Sequence, residues 1–130
     1  MKHFNLPILF ALAIAGLLLY SCTRSGPCEG SLRLENPIPD TTVAVGDTLF
    51  IDLANPPVFV SSEGQISYIP SVMQGQMNVD VIQMENPNDN QRLSILLIIG
   101  ESVGEAILEL EANSACLENQ TTFNVTVKAQ

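Results

Sequence analysis

Three cysteines, Cys22, Cys28 and Cys116, carry most of the covalent chemistry open to this chain. A thiol can be acylated or bridged to a second thiol, and as a thiolate it can act as nucleophile or metal ligand. The last two roles need support that the chain lacks. Its only histidine, His3, precedes an apolar run over residues 6–19. With Lys2 and His3 as a short positive start, that run of about 14 residues has the length of a secretory signal core and falls short of the ~20 that span a bilayer. Once such a leader is removed, no imidazole base and no histidine metal ligand remain. A serine nucleophile would have to use Lys128, which lies close to the C-terminus. Paired carboxylates can do glycosidase-type acid–base work, yet none of the 14 acidic residues forms a pair in a setting that singles it out. No catalytic residue, metal site or cofactor is expected, and the chain reads as a non-enzyme.

The leader ends in Leu19-Tyr20-Ser21-Cys22. With leucine three positions before the cysteine and a small residue directly before it, this stretch resembles the lipobox of bacterial lipoproteins. Tyr20 is bulkier than the residue usual at its position. The resemblance implies that Cys22 is diacylglycerated on its thiol, that residues 1–21 are cut away, and that Cys22 becomes an acylated N-terminus. Two or more acyl chains make a stable anchor where one would bind only marginally. The competing reading is an ordinary secretory signal with Cys22 a bystander. Thr23 follows the cysteine, with no acidic residue there to suggest inner-membrane retention and no acidic cluster of the surface-export kind. Thr23-Arg24-Ser25-Gly26-Pro27 reads as a short flexible tether. The expected organisation is a signal peptide over 1–21, a lipidated cysteine and tether over 22–30, and one domain over 31–130. The expected place is a bacterial envelope, lipid-anchored, at the outer membrane, with the side left open.

The 109 residues from position 22 onward suffice for one domain with one core. They keep four basic residues against 14 acidic ones, a net charge of −10. A field of that sign repels nucleic acid and anionic membrane surfaces. The expected partners are therefore the membrane, through the anchor, and an envelope protein or glycan, with nucleic acid excluded.

Apolar residues recur at every second position nearly throughout, which argues strands. Residues 31–35 read as a first edge strand closed by Asn36-Pro37-Ile38-Pro39, where missing N–H donors do no harm. Val43 and Val45, then Leu49, Ile51 and Leu53, form a buried face, with Thr48, Phe50 and Asp52 outward. Residues 58–60, 65–69 and 77–81 suggest further strands, the last beginning at Met77, and 86–90 a turn. Residues 93–99 are apolar on both faces, so they form a central strand or one covered by something else. Ala106, Leu108 and Leu110 alternate with Glu105, Ile107, Glu109 and Glu111; a polar loop is expected over 113–120, then a last strand through Phe123, Val125 and Val127. About seven short antiparallel strands, with no helix beyond the leader, spell an all-β sandwich.

The Gly46-Asp47 turn before Thr48-Leu49, the Val103-Gly104 turn before Glu105-Ala106-Ile107-Leu108, and the final Phe123-Asn124-Val125-Thr126-Val127 resemble the bacterial immunoglobulin-like and cadherin-like envelope modules. The resemblance covers residues 31–129, is strongest at its two ends, and implies a fold more than a function. In such a sandwich the N-terminus lies at the same end as the connection between the last two strands. With Cys22 committed to lipid, a Cys28–Cys116 disulfide follows as the expectation for an oxidising compartment.

Other stretches carry weaker signals. Asn88-Asp89-Asn90 is similar to the calcium-binding linker of cadherins but falls mid-domain, where an Asx-rich turn is the preferred reading. The run from Thr42 through Asn55-Pro56 is similar to the start of chagasin-type inhibitors of cysteine peptidases. That family presents three loops at one end of this sandwich. Asn55, Pro56 and Pro57 are then the candidate binding loop, although Pro57-Val58 stands in place of two threonines and the chain has no tryptophan. Inhibition is the alternative to a binding, adhesion or scaffolding module. Asp40-Thr41-Thr42 and Asp47-Thr48-Leu49 resemble O-glycosylation tripeptides and equally suit turns. Pro56 to Val60, with Tyr68, Met73, Met77 and Met84, form an exposed Met-rich face or, the preferred reading, fill the core.

Overall fold

Strand-forming alternation and Pro/Gly/Asn breaks partition the chain almost completely. In the computed structural model, which describes residues 28–130, nine strands follow one another: β1 (Leu32–Leu34), β2 (Thr41–Ala44), β3 (Thr48–Asp52), β4 (Phe59–Ser61), β5 (Ser67–Gln74), β6 (Val79–Asn86), β7 (Arg92–Gly100), β8 (Gly104–Ser114) and β9 (Leu117–Lys128). They make a four-stranded sheet β2-β9-β8-β5, a three-stranded sheet β3-β7-β6, and a two-stranded ribbon β1-β4. The two larger sheets pack face to face as an immunoglobulin-like sandwich.

The two packed sheets hold seven strands, and β1 and β4, which pair only with each other, add a ribbon. One expectation needs correction: not all pairs are antiparallel, since β2 runs parallel to β9, Thr41 opposite Val125 and Ala44 opposite Lys128. The cause lies in residues 36–39, where two prolines cannot donate to a ladder. The chain crosses there without pairing and then enters the sheet alongside the last strand. Asp40 fastens the crossing: its carboxylate accepts the Asn124 backbone N–H at 2.8 Å and the Asn124 carboxamide at 3.1 Å.

The core is built from the inward residues of the paired strands. Ala106, Leu108, Leu110 and Ala112 of β8 and Phe123, Val125 and Val127 of β9 meet Leu96 and Ile98 of β7, with Leu53, Val58, Phe59 and Tyr68 at one end. Burying each large side chain is worth about 1.5–3 kcal/mol before entropy is charged against it. At the other end β2 and β7 come close, and Val45 bridges Gly100. A Cβ on Gly100 would collide with the Ala44 carbonyl oxygen, so only glycine admits this approach.

The polar loop expected over 113–120 is strand instead. The β8–β9 ladder continues to Asn113 opposite Glu118 and Ser114 opposite Leu117. Glu111, Asn113, Glu118 and Gln120 are polar because they line the outer face, while Ala112 and Ser114 are small and buried. The strand expected from Met77 begins at Val79, since residues 76–78 form a turn. The segment expected as 65–69 runs as far as Gln74, with Pro70 tolerated because β5 is an edge strand.

Candidate functional site

The disulfide anticipated between Cys28 and Cys116 is formed, with the two Cα atoms 5.9 Å apart across a sequence separation of 88. Cys116 lies in a turn made only of Ala115 and Cys116, with Ala115 at φ 52°. Around it, the Ser62 hydroxyl accepts the Ser31 N–H at 2.8 Å, the Ser61 and Ser114 hydroxyls lie 2.7 Å apart, and the Asn119 carboxamide donates to Leu32 O at 3.0 Å. These contacts seat the β1–β4 ribbon on the tip of the β8–β9 hairpin. Cys22, the expected lipidation site, lies outside the described residues.

Asn55, Pro56 and Pro57 bridge β3 and β4 at the same end. The segment is clamped: Leu53 and Val58 are buried, Val58 N–H donates to Leu53 O at 3.0 Å, and the Tyr68 hydroxyl donates to the same oxygen at 3.2 Å. Burial pushes the Tyr68 phenol above its ordinary pKa, so it stays a neutral donor. Asn36 reaches across to Pro57 O at 2.8 Å, and Glu35 and Asn36 both donate to Val58 O. Beneath the loop, Asp52 accepts the Ala54 N–H at 2.9 Å and the Asn86 carboxamide at 3.0 Å. Asn86, fully buried, in turn accepts Asn88 N–H at 3.0 Å. Residues 86–90 are thus an Asx-type turn, in which Asp89 pairs with Arg92 at 3.5 Å. Among the described residues, no cluster of three or more acidic, cysteine or histidine side chains is placed to hold a metal.

The crossing segment and this loop enclose a cleft of about 270 Å³, lined chiefly by Pro37, Pro39, Leu49, Ile51, Pro56 and Val58, with Asn36, Thr41 and Asp52 as its polar groups. It exists because the proline segment does not pair with β3. Leu49 and Ile51 point inward from a strand that is hydrogen-bonded only to β7, so they stay half-buried. One backbone edge of β3 is left unpaired beside an apolar trough. Of the expected site residues, the structure brings Pro56 into the cleft and ties Pro57 to its rim. The lining from Pro37, Pro39, Leu49 and Ile51 was not anticipated. The two prolines mark where pairing stops but not that a cleft would open beside β3.

Two further expectations resolve by residue. The chagasin-type alternative would use loops at one end of the sandwich; the connection between the last two strands is Ala115 and Cys116 alone, held by the disulfide. The Met-rich stretch does not form one face, and the preferred reading, that it fills the core, holds only in part. Val58, Phe59 and Tyr68 are in the core, whereas Met73, Met77 and Met84 are exposed on an edge strand, a turn and the opposite sheet respectively.

No protein-family model matches the chain, and no curated protein matches it. Solved structures do. The chain is similar to the PKD domain of the KIAA 1837 protein, with 22% identity over 82% of this chain and 93% of that one, and a TM-score of 0.52. It is similar to titin domain M7, with 14% identity, coverage of 80% and 100%, and a TM-score of 0.51. An endo-fucoidan hydrolase from glycoside hydrolase family 107 aligns with 81% of the chain at 15% identity and a TM-score of 0.51, over only 14% of the hydrolase. At these identities the likeness is one of fold. The chain carries an immunoglobulin-like β-sandwich, of the kind that PKD and titin domains share.

Proposed function

We propose that this protein is a non-catalytic binding module of a bacterial envelope, anchored through acylated Cys22, whose cleft holds an extended apolar segment of another envelope protein. The observation that carries the reading is the apolar cleft beside the unpaired edge of β3. An extended chain laid along that edge would satisfy the free backbone groups, and alternate side chains would enter the cleft. A glycan is less well served, because no aromatic ring lines the cleft. The fold likeness to PKD and titin domains agrees with a binding or scaffolding role. Six residue steps separate Cys22 from Cys28, so the tether would hold the disulfide end within roughly 20 Å of the bilayer surface.

The test uses the full chain in producing cells. A photoreactive residue is placed at Pro39, which is exposed and lines the cleft, or at Thr122, exposed on the far sheet. The expected result is a crosslink to one envelope protein from position 39 only, lost with Cys22→Ala. Intact-mass measurement should find a mature chain beginning at acylated Cys22. A chain beginning elsewhere removes the anchor, and equal crosslinking from both positions removes the cleft.

A further inference from the structure

The two outer faces of the sandwich differ in kind. On the four-stranded sheet, Glu105, Glu109 and Glu111 of β8 stand opposite Thr126, Thr122 and Gln120 of β9. On the three-stranded sheet the register lines up apolar side chains instead. Phe50, Leu97 and Ile82 share one row across β3, β7 and β6, and Ile95 stands beside Met84 in the next. Leu93 and Ile99 extend the stripe along β7. Phe50 is 60% exposed, Leu93 51%, Met84 45% and Ile82 41%, while Ile95 in their midst is 8% exposed although it takes no part in the sandwich core. Single exposed apolar residues are ordinary; a contiguous patch on the order of 400 Å² is of the size that is often functional on a soluble monomer.

The charges bordering this patch have one sign. Asp52 is opposite Ile95 and Asp80 opposite Ile99. Glu85 sits at the bulge after Met84, and Asp47 and Glu101 close one end. The nearest base, Arg92, is engaged by Asp89. Among the described residues the other two bases lie elsewhere, Arg33 on β1 with Glu35 and Lys128 on β9.

We propose that this sheet face docks a protein partner whose surface presents an apolar centre rimmed by lysine or arginine. A standard interface takes about 800 Å² from each side, with an apolar middle and a polar rim. The patch supplies about half of that as apolar area, and the unpaired charges around it, Asp47, Asp80, Glu85 and Glu101, are all acidic. A second copy would bring acidic rim against acidic rim on chains that each carry −10 beyond the leader. An anionic bilayer is opposed by the same field. The site shares only Asp52 with the cleft, and the inference does not rest on the cleft.

The probe is a fluorescent amphipathic helical peptide with a leucine stripe flanked by lysines, and a twin with glutamates in their place. Each is titrated by anisotropy against the full chain in zwitterionic nanodiscs, with empty discs as reference. The expected result is binding of the lysine peptide alone, weakened by salt. Phe50→Ser and Ile82→Ser should each weaken it at least tenfold, and Asp80→Asn should weaken it and flatten its salt dependence. Both serine variants alter exposed edge-strand positions and should keep the wild-type melting temperature; Thr122→Ser on the other face is the neutral control. Equal binding of both peptides, binding to empty discs, or insensitivity to the serine variants would overturn the proposal. So would a micromolar self-association, seen by sedimentation, that Phe50→Ser abolishes, since a second copy would then be the occupant.

Discussion

Opening the Cys28–Cys116 bond gives the most quantitative prediction. The bond joins residues 88 apart, so on the chain-entropy account its loss relaxes the unfolded chain by roughly 4.5 kcal/mol. In a domain of this length each kcal/mol moves the melting midpoint by at least about 4 °C, so the expected fall is about 20 °C. The native state should survive at room temperature. The β1–β4 ladder, the Ser31–Ser62 pair and the Asn119 bond to Leu32 O still hold the N-terminal segment, and the core under β8 and β9 is untouched. The assay is urea and thermal unfolding, followed by circular dichroism, of Cys28→Ser, Cys116→Ser and the double variant. All three should lose the same stability, because either substitution removes the one bond. The urea m-value should rise as the unfolded chain expands. Single losses that sum in the double variant would refute the reasoning. So would an unchanged midpoint with faster hydrogen exchange confined to β1, since the bond would then only pin a terminus.

Two further substitutions probe the fastenings around the cleft. Asn86→Ala deletes a buried carboxamide that donates to Asp52 and accepts from Asn88, and should cost about 1–3 kcal/mol in urea unfolding. Asn86→Asp, which keeps the acceptor for Asn88 but turns a donor toward Asp52 into a like charge, should not rescue it near neutral pH. Asp40 is held below the usual carboxylate range by the backbone and side-chain donors of Asn124. A depressed pKa in the folded state means that its contribution is complete above about pH 5 and is lost as pH falls through the folded value. The stability difference between wild type and Asp40→Asn should therefore be flat near neutrality and shrink on acidification, and a difference that grows toward low pH would contradict the assignment.

The strands were legible because their alternation is strict where one face is buried: Leu108 and Leu110 in β8, Phe123 and Val125 in β9, and Leu49 and Ile51 in β3 lie on the faces their spacing indicates. The disulfide was legible once the fold fixed which chain ends share one end of the sandwich. Residues 113–120 misled because composition does not separate a polar loop from the polar outer row of a hairpin; only the small buried partners Ala112 and Ser114 make the distinction. The parallel pairing of β2 with β9 was hidden because proline marks where pairing stops and carries no information about where it resumes. The cleft was hidden for the same reason, since its walls come from segments that fail to pair. Of the two readings of 93–99, apolar on both faces, the central strand holds, since β7 lies between β3 and β6.

The outer apolar patch also bears on the chain's acidity. The four edge strands of the two sheets, β2, β3, β5 and β6, and an apolar sheet face would together invite self-association. Two of them carry a deterrent, since Pro70 interrupts β5 and Asp80 and Glu85 flank Ile82 and Met84 on β6, while the open edge of β3 is the one the proposed partner segment would pair with. The acidic outer face of β8 adds a long-range repulsion between copies. With a basic partner docked on this face as proposed, the strong excess of carboxylates would act as a filter, allowing an apolar face to stay exposed while admitting partners whose charge is opposite. On this account salt has opposite effects on two associations: it should weaken docking of a basic partner and strengthen contact between copies. A single salt series that recorded both would separate electrostatic selection from simple hydrophobic adhesion.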